Sequence, residues 1–282
     1  MNAMSSRDIL LSATLEKNAV SADAPPDDAH VRALADTIMT LAEAGASIVT
    51  LPIAPGEQPI KERIENVRKL FSALGETLPE GAPPVFLSTE FLGPVGMQTR
   101  FDAVRAIRPQ GVDLIFRDIF SDESDEGFSR LKGFFRWLKV MEVMPRFIMR
   151  TPSDVARFVR LRVFDVVTFS RPHLLFELGA DSGHENTDTA SALERFLAAL
   201  DHQPVTWAAC THGADEAAVI FRCLLEGGHV HTGLACNRVL PDGTRAAHPQ
   251  EPVLAACDII RQTGGRPVPA KEAKAFLKES FK

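Results

Sequence analysis

Between Gly227 and Asn237 the chain reads Gly-Gly-His-Val-His-Thr-Gly-Leu-Ala-Cys-Asn, which puts His229, His231, Cys236 and Asn237 within a few residues of one another. Imidazole and thiolate are soft donors that suit zinc, and His212 with Glu177 can complete a set with His231 and Cys236 if the fold gathers them. Their spacing matches no compact ligand motif, so a hydrogen-bonded histidine and a small residue filling space are the plain alternative. Cys236 beside His231 or His212 can equally act as an activated thiolate. A second group is cationic. Lys17, Arg117 and Arg150 can grip a carboxylate or phosphate, the arginines through paired N–H donors. As rim residues the arginines would instead pair with Asp118 or Glu90. Ser88 and Thr89 add hydroxyls suited to holding a substrate oxygen.

The elements that must position these residues alternate along the whole chain. Strand candidates are Ile9–Ala13, Ser47–Leu51, Pro84–Ser88, Val112–Phe116, Arg146–Met149, His173–Glu177, Val205–Ala209 and His229–Leu234. Helical patterns lie between them: Ala33–Ala44, Ile60–Leu74, Thr99–Ile107, Glu126–Val140, Asp154–Leu161, Ala190–Ala199 and Ala214–Leu225, with Pro252–Gln262 after the last strand. Ser153 is expected to cap the helix that begins at Asp154. Parallel neighbours require crossovers, and eight βα units in 282 residues favour a closed (β/α)8 TIM-type barrel. The first crossover has no GxGxxG loop, which weakens a dinucleotide-binding sheet. No Pro-, Gly- or Ser-rich linker divides the chain, so residues 1–282 are expected to form a single barrel domain with a C-terminal tail. Such barrels carry their sites at the C-terminal strand ends. Those ends offer Glu16, Lys17 and Asn18; Thr50 and Pro52; Ser88, Thr89 and Glu90; Arg117 and Asp118; Arg150; Glu177 and Asp181; Thr211 and His212; and His231, Cys236 and Asn237.

Composition sets outer limits. A net charge of -6 with no basic stripe argues against a nucleic-acid partner. No apolar run approaches the ~20 residues that span a bilayer, and no secretory signal opens the chain, so no membrane partner is expected. Cys210, Cys223, Cys236 and Cys257 show no CxxC spacing, which fits reduced thiols in a cytoplasmic setting better than a disulfide framework. The acidic run Asp122–Glu126 reads as a solvated helix start, where carboxylates meet the positive end of the dipole. His229 reads as a buried histidine that orients its strand. His30, His173, His184, His202 and His248 read as loop or surface residues. The apolar stripe of Leu131–Val140 serves either as core or as an interface of a homo-oligomer.

Several pieces carry a resemblance that extends over nearly the full length. Glu43–Val49, Leu87–Thr89, Arg108–Pro109, the ungapped run Trp207–Asn237, Gly264 with Arg266, and Pro269–Ala273 resemble, in order and spacing, the β-keto acid cleavage enzymes. The resemblance implies a zinc-dependent retro-Claisen exchange, in which a bound β-keto acid attacks an acyl-CoA thioester. It further implies a small carboxylate or acyl-CoA-type ligand and a homo-oligomer. It also places the family's zinc ligands at Thr50, Pro52 and Ala235, its Arg and Asp at His231 and Cys236, and its strand-five Glu at Ile148.

None of the three ligand positions holds a good zinc donor, so no metal and no other cofactor is expected there. Two function classes follow: an enzyme with altered or lost activity, or a non-catalytic barrel that binds a carboxylate. The candidate catalytic residues are Ser88, His231 and Cys236. The candidate substrate-binding residues are Ser88, Thr89, Arg117, Arg150 and Asn237.

Overall fold

The computed structural model describes residues 7–17, 19–179, 189–212 and 215–281. Eight parallel strands close into a barrel: β1 (Leu11–Thr14), β2 (Ile48–Leu51), β3 (Val85–Ser88), β4 (Gly111–Ile115), β5 (Met144–Met149), β6 (His173–Leu178), β7 (Thr206–Thr211) and β8 (His229–Gly233). They follow sequence order around the wall, and β8 pairs with β1 to close the ring. The crossovers carry α1 (Asp28–Glu43), α2 (Ile60–Thr77), α3 (Met97–Ile107), the short α4 (Phe116–Ile119), α5 (Asp125–Val140), α6 (Pro152–Val163), α7 (Thr189–Ala199) and α8 (Glu216–Leu225). Next come α9 (Gln250–Gln262) and α10 (Ala270–Phe281). None of the described helices is long and apolar enough to cross a membrane.

Alternation along each strand sends one residue to the helices and the next into the barrel. The interior therefore forms layers. Leu10, Ile48, Phe86 and Met144 fill the N-terminal end, and Val268, Ala273 and Leu277 close it from below. Above them is a polar layer of Ser12, Thr50, Asp113, Arg146 and His231, all buried. Ile115, Ile148, Leu175, Ala208 and Cys210 cluster at the C-terminal end. Outside the strands, Phe134 of α5 stacks on Phe101 at 4.0 Å and Phe135 meets Phe147 edge-on at 5.8 Å. The stripe on α5 is thus core, with Leu131, Phe134, Phe135 and Leu138 all buried in the chain itself. It supplies no argument for an oligomer.

Several elements differ from their sequence expectation for physical reasons. The first strand is interrupted: Arg7–Ile9 pairs with Gly265–Pro267, and Leu11–Thr14 pairs into the barrel sheet. The expected C-terminal tail is α10, whose Leu277 is buried at the barrel base. Helix α6 is capped by Thr151 rather than Ser153. Pro152 presets the first turn, and Thr151 with Asp154 forms a reciprocal capping box. His173 is not a surface residue; it is buried at the start of β6, and its Nδ1 has no hydrogen-bond partner among the described residues. The acidic run behaves as expected: Ser124 Oγ accepts from Gly127 N at 3.1 Å, and Asp125 and Glu126 occupy the first turn of α5.

Candidate functional site at the C-terminal barrel end

The polar layer under the site is built around Arg146, none of whose surface is exposed. Its Nε donates to Asp113 Oδ1 at 2.8 Å and its Nη2 to Asp113 Oδ2 at 2.7 Å, a two-pronged pair on neighbouring strands. Nη2 also donates to Thr50 Oγ1 at 2.7 Å, and Nη1 donates to Ser12 Oγ at 3.0 Å. Thr50 in turn donates to Asp113 Oδ2 at 3.3 Å. A buried charge is tolerable only when it is paired and its remaining protons are satisfied; here the pair is Asp113, and the fifth guanidinium proton faces His231 Nδ1 at 3.4 Å from Nη1.

Above this layer opens a cavity of about 370 Å³. That volume lies within the ordinary range for a small-molecule site. Its floor includes Thr50, Asp113 and His231, and its rim includes Lys17, Arg150 and His212. Ser88 also lines it. The Ser88 Oγ accepts weakly from Glu90 N at 3.4 Å, and its proton has no acceptor among the described residues. Arg150 is held between two carboxylates: Nε donates to Glu177 Oε2 at 2.8 Å and Nη2 to Glu90 Oε1 at 2.7 Å. Burial works against its charge, but Glu177 and Glu90 outweigh it and hold the guanidinium above its ordinary value. Lys17 has no ion-pair partner among the described residues.

The wall formed by β7, β8 and the following turn is different in kind. Cys210, His231 and Cys236 lie together, with donor atoms all within 4.8 Å of one another. Gly233 makes this possible. It adopts φ +126°, and a Cβ there would lie 2.2 Å from the Thr14 carbonyl oxygen, so only glycine lets the chain turn at this point. Cys236 N and Asn237 N then both donate back to Gly233 O, at 2.9 and 3.0 Å. Burial first, then the charges of Arg146 and His212, lower the His231 imidazole well below its usual value, so it is neutral. A hydrogen bond with Cys236, then burial, pushes the Cys210 thiol well up. His212 lies at the rim, where its Nδ1 pairs with the Cys236 carbonyl at 2.8 Å.

Of the residues expected from sequence to act, Ser88, Arg150, His231 and Cys236 meet at this cavity, as do Thr50, Pro52 and Ala235. Thr89, Arg117 and Asn237 do not line it. Thr89 Oγ1 donates to the Asp113 carbonyl at 2.9 Å. Arg117 pairs with Asp154 at 2.9 Å and with Thr151 Oγ1 at 3.1 Å, which ties α4 to the cap of α6. Asn237 Nδ2 donates to Glu216 Oε2 at 3.1 Å and to the Val239 carbonyl at 2.7 Å, and Thr232 shares Glu216. These are fastenings of loops and helices. The soft-donor group therefore exchanges one expected member: Cys210 takes the place of His212. Two site residues were missed by sequence reading, Arg146 and Cys210, although strand parity with Ile148 and with Ala208 would have turned both inward. Asn18, Asp181 and His184 lie outside the described residues.

Comparison with known proteins agrees with this architecture. No curated protein matches the sequence. Among solved structures, ObcA in a binary complex with oxaloacetate superposes with a TM-score of 0.59 at 12% identity, covering 88% of this chain and 66% of that one. The chain thus spans just under two thirds of ObcA's length. The HMG-CoA lyase from Brucella melitensis gives a TM-score of 0.54 at 12% identity, covering 97% and 98% of the two chains. The type I 3-dehydroquinate dehydratase from Clostridium difficile gives 0.56 at 9% identity, covering 92% and 93%. At these identities the likeness is one of fold. A family model for beta-keto acid cleavage enzyme matches residues 29–278, from the first turn of α1 to the last turns of α10. Since that match takes in all the barrel strands but β1, together with the turn that carries Cys236, the chain belongs to the beta-keto acid cleavage enzyme family.

Proposed function

We propose that this barrel binds a small keto acid or related carboxylate, and that the family's zinc-assisted retro-Claisen exchange is altered or lost in it. The Arg146 network carries the proposal. The family resemblance puts zinc donors at Thr50, Pro52 and Ala235. Pro52 and Ala235 have no side-chain donor atom. Thr50 Oγ1 already accepts from the Arg146 guanidinium at 2.7 Å. These residues do not fit the family's zinc, which wants about three nitrogen, sulfur or carboxylate ligands.

What remains is recognition by this chain's own groups. Lys17 offers an ammonium at the rim. Arg150 offers its Nη1, because Nε and Nη2 are taken by Glu177 and Glu90. The Ser88 hydroxyl supplies a donor for a ligand carbonyl, and neutral His231 is too weakly basic to serve as an efficient proton acceptor near neutral pH. ObcA's complex with oxaloacetate supports a keto acid as the ligand class. The cavity suits such an acid, or the acyl end of a CoA thioester. A non-catalytic carboxylate-binding barrel is the second reading, and the pinned Arg150 and the low basicity of His231 favour it.

The test is to incubate the protein with a panel of β-keto acids and acetyl-CoA, follow new acyl-CoA masses, and measure carboxylate binding by calorimetry in parallel. Binding with little or no exchange is expected. Exchange at the ~10 per second of an ordinary enzyme would overturn the altered-chemistry reading, and failure of every carboxylate to bind would overturn the ligand class.

A further inference from the structure

Two thiols and an imidazole converge on one point of the cavity wall, with their donor atoms within 4.8 Å of one another. We propose that Cys210, His231 and Cys236 form a soft-metal site, zinc being the fitting ion, with its fourth coordination position open to the cavity. None of Thr50, Pro52 or Ala235 takes part, so the ligand set is not the one the family resemblance implies, although His231 and Cys236 stand where that resemblance puts the family's Arg and Asp. It stands whether or not the cavity takes a keto acid.

The donor set selects the ion. Sulfur and imidazole nitrogen favour zinc over magnesium or calcium, and two thiolates with one imidazole leave the open position typical of a reactive site. A tetrahedral ion with Zn–S near 2.3 Å draws its sulfurs to about 3.8 Å apart. The observed spread closes to that with shifts of about 1 Å, well within the reach of Cys236, which sits half-buried on the turn after β8. Binding forms two Zn–S bonds and one Zn–N bond and releases the two thiol protons to solvent. The dication then balances two thiolates, and nothing is oxidised or reduced. A Cys210–Cys236 disulfide would need an oxidant and would leave the adjacent imidazole without a role.

The surroundings are built for such a site. His231 Nδ1 lies 2.6 Å from Ser12 Oγ, which leaves Nε2 for the metal. Metal at Nε2 selects the tautomer in which Nδ1–H donates to Ser12. Ser12 then donates its own proton to the Val230 carbonyl at 3.3 Å and accepts from Arg146 Nη1 at 3.0 Å, while the 3.4 Å approach of Nη1 to Nδ1 gives up its hydrogen bond. Metal-bound histidines generally have an oxygen partner on the second nitrogen, and losing it costs about 10- to 100-fold in affinity. Burial keeps the imidazole in the neutral form that a metal requires.

The test uses the full chain, stripped with a chelator and titrated with Co²⁺ and Zn²⁺. Cobalt is expected to bind at one per chain, with a thiolate-to-cobalt charge-transfer band and the visible bands of a tetrahedral ion. Cys210→Ser and Cys236→Ser should each abolish the charge-transfer band or shift it strongly, Ser12→Ala should weaken zinc about 10-fold, and Cys223→Ser should leave the band unchanged. Should the cysteine variants fail to fold, alkylation of the unmutated protein decides the matter. Zinc should shield Cys236, the more accessible of the two thiols, from iodoacetamide at stoichiometric metal. Absence of a charge-transfer band, its survival in the Cys210→Ser/Cys236→Ser double variant, or an unshielded Cys236 at saturating zinc would overturn the site.

Discussion

The two sides of this barrel end treat chemical potential in opposite ways. On the side of β2, β4 and β5, every polar group is spoken for: Arg146, Asp113 and Thr50 satisfy one another at 2.7 to 3.3 Å. On the side of β7 and β8, Cys210, His231 and Cys236 are gathered against one another and Ser12, with no carboxylate paired to any of them among the described residues. A saturated network rigidifies a barrel and is poor at chemistry, because each group is already engaged. An unsaturated group of soft donors costs little while protonated and neutral, and it stays available to an incoming ion. The contrast shows why a polar residue at a strand end is not by itself a functional residue; what matters is whether a partner has already claimed it.

The largest expected effect comes from breaking the saturated side. Asp113→Ala leaves the Arg146 charge buried and unpaired, and should cost about 3–5 kcal/mol in urea unfolding. Arg146→Met combined with Asp113→Leu should recover most of that loss, since a well-packed apolar pair often matches a buried ion pair. A double variant as unstable as Asp113→Ala would show that the network does more than satisfy itself.

How much of this was legible in the sequence follows from the same contrast. Strand and helix alternation fixed the barrel, because the periods of apolar residues survive in the text of the chain. Arg146 was passed over since a charged residue at the start of an apolar run looks like a boundary; only its pairing with Asp113 on the next strand reveals an interior position. Cys210 was missed because β7 runs two residues beyond the expected Ala209, to Thr211. His231 and Cys236 were legible as candidates, but their third partner depended on that strand end. Arg117 and Asn237 had the right chemistry in the wrong place, since the loops that carry them turn away to bind Asp154 and Glu216.

Next in size is a pH effect at the barrel base. His229 accepts from Leu10 N through Nδ1 at 3.0 Å, and burial, with help from Arg7 and Arg171, lowers it to about 4. Its folded value lies below the ordinary one near 6.5, so the unfolded chain binds the proton first. Stability should therefore be complete above pH ~6.5 and fall as pH drops towards 4, by roughly 3 kcal/mol for this residue. His229→Gln should flatten that part of a pH series of urea midpoints; an unchanged slope would remove His229 as its source.

Smaller effects separate the rim from its fastenings. Lys17→Ala should weaken carboxylate binding about 10-fold with little loss of stability, since it removes one charge-assisted contact. Arg117→Ala should do the reverse, leaving binding intact and costing about 1 kcal/mol or less. Equal effects of both on calorimetric affinity would erase the distinction between them. Smallest of all, Thr151→Ala should cost about 1 kcal/mol in thermal or urea unfolding through the lost cap of α6, whereas Ser153→Ala should be near neutral.

The sharpest single comparison of the two sides is X-ray absorption at the zinc edge of the zinc-loaded full chain. Two sulfur scatterers at about 2.3 Å with nitrogen or oxygen at about 2.0 Å are expected if the soft donors of β7 and β8 hold the ion. A shell of nitrogen and oxygen alone, or no stoichiometric zinc at all, would contradict it.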